Sequence, residues 1–111
     1  MVASNSAFMG GVPELLILKL LSRREMYGYE LAKAVLTASE EALALGEGVL
    51  YPVLHALEAG GALRARTGLV SGRKRIYYAL TARGRRRLQQ LSQRWQQVAG
   101  AVEAVMGEAH A

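Results

Sequence analysis

Hydrophobic positions along this chain recur with a helical period over most of its length and give way to period-two alternation between residues 62 and 80. Residues 1–10 read as a flexible start that leads into a helix. Pro13 suits a first helical turn, and Glu14 to Leu21 is apolar on most sides, as a buried helix would be. Ser22 to Met26 is a polar break. Tyr27–Gly28–Tyr29 opens a second helix, with Gly28, Leu31, Ala32, Val35 and Leu36 at i, i+3, i+4, i+7 and i+8. Thr37 to Gly46 fits either an extension of that helix or a loop.

A third helix is predicted from about Glu47 to Ala59, striped by Leu50, Val53, Leu54 and Leu57, with Gly48, Pro52, His55 and Ala59 opposite. Pro52 lacks a donor and crowds the Gly48 carbonyl. Either the helix begins later, near Tyr51, or its first turn is kinked. Gly60–Gly61 supplies the stop. A hairpin follows, with Ala62–Thr67 and Arg73–Leu80 as strands and Gly68–Gly72 as the connection. Lys74, Ile76, Tyr78 and Leu80 share one face of the second strand, and Arg73, Arg75, Tyr77 and Ala79 share the other. One face can cover the core while the other presents Arg and Tyr outward. Thr81 is a good N-cap for a last helix. There Leu88, Leu91, Trp95, Val98, Val102 and Val105 are spaced 3-4-3-4-3, an a/d seam that calls for a partner. Gly100 and Gly107 weaken it by about 1 kcal/mol each relative to Ala. The partner is the helix's own domain or a second subunit, along different turns.

The chain has 111 residues, half of them hydrophobic, so one domain with a real core is expected. The formal net charge is +5, but its distribution says more. Residues 62–94 hold ten Lys or Arg and no acid; residues 1–61 hold four bases and seven acids. A basic stretch of this kind fits a polyanion-facing surface, although a solvated face that aids solubility is the plainer alternative. Arg83, Arg85, Arg86 and Arg87 gather at the start of the last helix, the end where the dipole disfavours cations. No basic segment followed by an apolar one marks a signal peptide, and no apolar run is long enough to span a bilayer. The absence of cysteine excludes disulfides and thiolate metal sites and fits the cytoplasm.

Enzyme chemistry finds little footing. There is no Asp and no Cys, and His55 and His110 are the only histidines. No G-x-S-x-G nucleophile motif and no phosphate-cradling glycine loop is present. His55 has no second ligand at i+3 or i+4, so neither a metal nor another cofactor is expected. Helix, helix, helix, hairpin, helix is instead the order of a winged helix-turn-helix, whose second paired helix enters the major groove while a basic hairpin lies along the phosphates.

Particular residues carry a resemblance to a known family. Leu15–Leu21, Tyr27–Gly28–Tyr29–Glu30–Leu31 and the run Leu50–Tyr51–Pro52–Val53–Leu54–His55–Ala56–Leu57–Glu58 resemble the PadR family of bacterial regulators. So do Gly72–Arg73, Tyr77–Tyr78, Leu80–Thr81 and Gly84–Arg85. The likeness extends over about residues 8–106, and the single last helix is similar to the short subfamily. It implies a mainly α fold with a β-hairpin wing: residues 1–80 as a winged helix-turn-helix DNA-binding domain and 81–111 as a C-terminal dimerisation helix, one compact unit. It also implies a homodimeric repressor, often relieved by a small aromatic or drug-like molecule. Gly48, Val49, Tyr51 and His55 would belong to the recognition helix, and Arg73, Lys74, Arg75 and Tyr77 to the wing. Gly46, Glu47 and Val49 stand where the family often has Ser, Pro and Thr, and Lys74 and Ile76 where it often has Pro and Lys.

Some residues admit two roles. Tyr51 is a helix-edge core residue or a phosphate contact. Of Tyr77 and Tyr78, which point to opposite strand faces, at least one is core. Trp95 is an anchor of the dimer seam (Leu88, Leu91, Trp95, Val98, Val102, Val105) or a ligand-stacking residue in an effector slot walled by Leu15, Leu18 and Val98. Two other functions stay open. One is a small-molecule binder whose winged helix no longer reads DNA, and the other a protein-interaction adaptor using the helical seam. Salt-dependent binding to duplex DNA separates both from a regulator.

Overall fold

In the computed structural model, which describes residues 10–107, the hydrophobic stripes meet in one core centred on Ile17, Leu18, Leu31, Val35, Leu50 and Leu54. Helix α1 (Val12–Leu21) carries Pro13 in its first turn and buries Ile17, Leu18, Leu20 and Leu21. The flexible start expected before it lies outside the described residues, apart from Gly10, which sits in a turn. The expected break at 22–26 ends in a short strand, β1 (Met26–Tyr27), with Met26 buried. Helix α2 (Gly28–Ala38) follows at once, and Glu30 Oε1 accepts from the Tyr27 N–H at 3.2 Å.

The ambiguity over residues 37–46 resolves both ways: α2 takes in Thr37 and Ala38, and 39–46 form a loop. The chain turns through Glu40 and Glu41, both at positive φ, while the Ser39 hydroxyl accepts from the Leu43 N–H at 3.0 Å. Leu45 is buried and Leu43 packs on the core, so the loop is anchored by apolar contact. Helix α3 (Glu47–Ala59) begins where its stripe predicted, which excludes a late start at Tyr51; Pro52 lies inside it. Helical geometry survives there because Leu50, Leu54 and Leu57 are all buried against the core and hold the turns on either side of the proline. The end is a Schellman motif: Ala62 N–H donates to the Leu57 carbonyl and Gly61 N–H to that of Glu58, with Gly61 at φ 83°.

The hairpin is longer than its sequence suggested. β2 (Leu63–Val70) and β3 (Arg73–Leu80) pair without interruption and turn through Ser71–Gly72 alone. Both turn residues have positive φ, 50° and 77°, which gives a two-residue turn whose twist matches that of the strands. Gly68 is therefore a strand residue and not part of the connection. A Cβ there would lie 2.8 Å from the ring of Tyr77, its diagonal neighbour on β3, so glycine makes room for the aromatic. β1 pairs with the other edge of β3, in the order β1-β3-β2. Tyr78 and Leu80 are the core-facing residues of β3; Lys74 and Ile76, on the same face but nearer the tip, are exposed. Burial pushes the Tyr78 phenol pKa up.

Helix α4 (Ala82–Met106) is capped as expected, the Thr81 hydroxyl accepting from Gly84 N–H at 3.1 Å and donating to the Gly61 carbonyl at 2.6 Å. Gly84 is buried against the Ala62 carbonyl, where no side chain fits. The elements together make a winged helix-turn-helix with a long last helix, mainly α with a β-hairpin wing.

Candidate nucleic-acid interface

Three leucines turned inward leave α3 with an open face. Gly48, Val49 and His55 are exposed along it, and Val49 stands 45% accessible. Tyr51 is half-buried, its ring close upon Gly28 at the start of α2: a Cβ on Gly28 would come within 2.7 Å of the Tyr51 Cζ and would strike the hydroxyl. Tyr51 and Gly28 thus fit the two helices of the pair together. The tyrosine ring also lies 6.3 Å from the His55 ring. α3 contains Glu47 and Glu58 but no Lys or Arg, so cationic charge beside it has to come from neighbouring elements.

The wing supplies it. Residues opposite one another in the ladder share a face, so Arg64, Arg66, Arg73, Arg75, Tyr77 and Tyr27 lie on the outer side of the sheet. Tyr27 and Tyr77 meet edge to face at 5.4 Å. The Arg66 guanidinium lies 4.5 Å from the Tyr77 ring centre, and that of Arg75 lies 5.5 Å from the Tyr27 ring centre. Glu25 accepts two hydrogen bonds from Arg66, one from Nε at 3.1 Å and one from Nη2. Those bonds hold the Glu25 carboxyl below the usual carboxylate range and raise the Arg66 pKa in turn. Arg73 and Lys74, at the tip, are exposed.

The second basic cluster has a different use. Arg87 forms a bidentate pair with Glu14 of α1, at 2.6 and 3.2 Å, and this raises the Arg87 pKa. Arg83 donates to the Gly60 carbonyl at 3.0 Å. Two of the four arginines that open α4 therefore tie it to the rest of the chain, while Arg85 and Arg86 are exposed. Partners inside the fold answer part of the unfavourable charge at this helix start, a third answer beside the nearby polyanion and the solvated cluster that the sequence left open.

Along α4 the apolar seam divides. Leu88 and Leu91 pack on the chain's own core, whereas Trp95, Val98, Val102 and Val105 are between 49% and 82% accessible. A cavity of about 560 Å³ lies between the start of α1 and this outward stretch, with Leu15, Leu91, Trp95 and Val98 on its walls. Leu18, expected as another wall, is fully enclosed in the core and does not reach the cavity. Leu18 lies on the core side of α1, whereas Val12 and Leu15 line the cavity beside α4. Among the described residues there is no His, Cys, Asp and Glu cluster fit to hold a metal, and no helix is long and apolar enough to cross a membrane.

Sequence reasoning singled out Arg75 and Tyr77 but missed Glu25, Tyr27, Arg66 and Gly68. Placing the turn at Ser71–Gly72 would have set Arg66 across from Tyr77 and Gly68 across from Arg75. Nothing local in the sequence announces that β1 joins the sheet.

Comparison with known proteins matches residues 17–90 to the transcriptional regulator PadR-like family. A transcriptional regulator from Clostridium thermocellum is similar over 88% of this chain and 96% of its own, with a TM-score of 0.82 and 26% identity. A PadR family regulator from Clostridium difficile covers 86% of this chain over 99% of its own, at 30% identity and a TM-score of 0.74. A Lysinibacillus sphaericus protein is 30% identical over 102 residues, 91% of this chain and 94% of that one. An open helix face flanked by a cationic wing and the family match agree: this chain belongs to the PadR-like family of transcriptional regulators, DNA-binding proteins and not enzymes.

Proposed function

We propose that this regulator is a repressor, working as a homodimer on an inverted-repeat operator. The observation that carries the reading is the division of the surface: residues up to 80 present the open face of α3 beside a cationic wing, while the distal α4 turns Trp95, Val98, Val102 and Val105 outward. Residues 1–80 would read DNA and residues 81–111 would pair the subunits. Gly48, Val49 and His55 would approach base edges, with Tyr51 setting the helix in place, while Arg73, Lys74 and Arg75 meet phosphates. Pairing through α4 sets two α3 helices about one helical turn of DNA apart, roughly 34–36 Å.

Relief by a small flat aromatic molecule is supported by the cavity beside Trp95, whose apolar walls include Leu15 and Val98. A ligand there acts as an inducer only if it prefers a subunit spacing that does not fit the operator.

A mobility shift against the DNA upstream of its own gene, repeated across salt concentrations, tests the reading. The expected result is a dimer footprint on an inverted repeat, weakening steeply with salt. Affinity indifferent to salt, or protection of one asymmetric half-site, would count against it. Trp95 is the only tryptophan, so quenching of its fluorescence by planar aromatics tests the effector. If no compound in a broad panel quenches Trp95, the effector reading fails.

A further inference from the structure

Two arginines on the outer face of the sheet have the same aromatic support and opposite electrostatic fates. Arg66 rests on the Tyr77 ring, and both of its hydrogen bonds go to Glu25, which neutralises it. Arg75 rests on the Tyr27 ring. Among the described residues it has no carboxylate or carbonyl partner, and its Nε is enclosed without an acceptor. That N–H has given up water and gained no acceptor in return, and no carboxylate answers the charge of the half-buried guanidinium. Its direction is nevertheless restricted, because Tyr27 is itself held: by backbone pairing with Tyr77, by the edge-to-face contact with that ring, and by the Glu30 carboxylate on its N–H. Gly68, across the ladder from Arg75, keeps the Tyr77 ring in its place.

We infer that Tyr27 is a positioning residue that aims Arg75 at a DNA phosphate, while Glu25 withholds Arg66 from the same task. This rests on the DNA-binding reading above and adds to it a residue from outside both the recognition helix and the wing hairpin. An arginine already ordered by an aromatic face loses less freedom when it meets a phosphate, and its planar fork suits the phosphate oxygens. Arg66 has two of its five N–H donors committed to Glu25, and a phosphate approaching it meets that carboxylate's negative charge as well. Beside the exposed Arg64 and Arg73, the outer face of the wing thus offers one phosphate contact that is ordered in advance.

The test is the salt dependence of binding to a short mixed-sequence duplex, which isolates phosphate contacts from base reading. Arg75→Ala lowers the slope of log affinity against log salt by about 0.9 for each wing engaged. Arg66→Ala leaves the slope unchanged. Tyr27→Leu weakens binding about two- to fivefold per wing at fixed salt, the size of a lost exposed cation–π contact, with the slope kept because the charge remains. Tyr27→Phe, which retains the ring, binds as the unmodified protein does. In an Arg75→Ala background Tyr27→Leu costs nothing further, an outcome that a merely structural role for Tyr27 would not produce. Equal slope changes from Arg66→Ala and Arg75→Ala overturn the inference. So does a Tyr27→Leu loss that persists without Arg75. Both of these leave the DNA-binding reading standing, whereas failure of the unmodified protein to bind any duplex overturns that reading and this inference with it.

Discussion

From Leu88 to Leu91 the apolar stripe of α4 lies against the core of its own chain, whereas from Trp95 to Met106 the same stripe faces outward. The first stretch is fastened many times over. Thr81 caps the helix, Gly84 sits on the Ala62 carbonyl, Arg83 reaches Gly60, and Arg87 pairs with Glu14. Beyond Leu91 the helix runs clear of the sheet and of α2 and α3, which helps to draw the molecule out to 58 Å along its long axis. A single heptad pattern therefore serves two surfaces. Its first turns complete one chain, and its later turns leave an apolar strip that water solvates poorly and that a second copy would cover.

The sharpest way to break the contrast is to charge the outer stretch. Val98→Glu with Val102→Glu should raise the dimer dissociation constant at least roughly a hundredfold, because carboxylates would be buried without partners. Sedimentation should then show monomers at micromolar concentration. Thermal stability of the monomer should hardly change, since both valines are 55% exposed within one chain. An unmodified protein that sediments as a monomer would remove the basis for this prediction.

The converse substitution lies at the anchored start. Gly84→Ala places a methyl against the Ala62 carbonyl, a backbone atom that cannot step aside. A loss of about 2–3 kcal/mol is expected, read as a lower urea midpoint with the m-value unchanged. Such protein as remains folded should still dimerise, because the outward stripe is intact. A gentler probe is Thr81→Ala, which removes the cap on Gly84 and the bond to Gly61. It should cost about 1 kcal/mol, and Thr81→Ser should recover most of it.

Much of this fold was legible beforehand, for stated reasons. The stripe of Leu50, Val53, Leu54 and Leu57, the Gly60–Gly61 stop and the Thr81 cap depend on residues close in sequence, and each stands where local rules put it. The hairpin was misjudged at Gly68, which looked like loop and is strand, because the reason for that glycine is the Tyr77 ring on the next strand. The strand at Met26–Tyr27 was missed because two residues have no period of their own; pairing with β3 makes them a strand. The basic residues were all visible, but their roles were not. Arg66, Arg75, Arg83 and Arg87 look alike in sequence, and partners 23 to 73 residues away, where they exist, tell them apart.

By itself the sequence determined the order of the four helices and the hairpin, the helical stripes, the heptad seam and the placement of positive charge, because periodicity and composition are properties of a chain before it folds. Only the tertiary structure decided which turns of the seam the core absorbs and which remain open. The same holds for Leu18, which is enclosed while Leu15 lines a cavity, and for Arg66, which is neutralised while Arg75 is not. The physical reason is common to these cases. Burial and charge neutralisation belong to pairs of groups, and the pairs form only when strand register and helix packing bring distant residues within a few ångströms of one another.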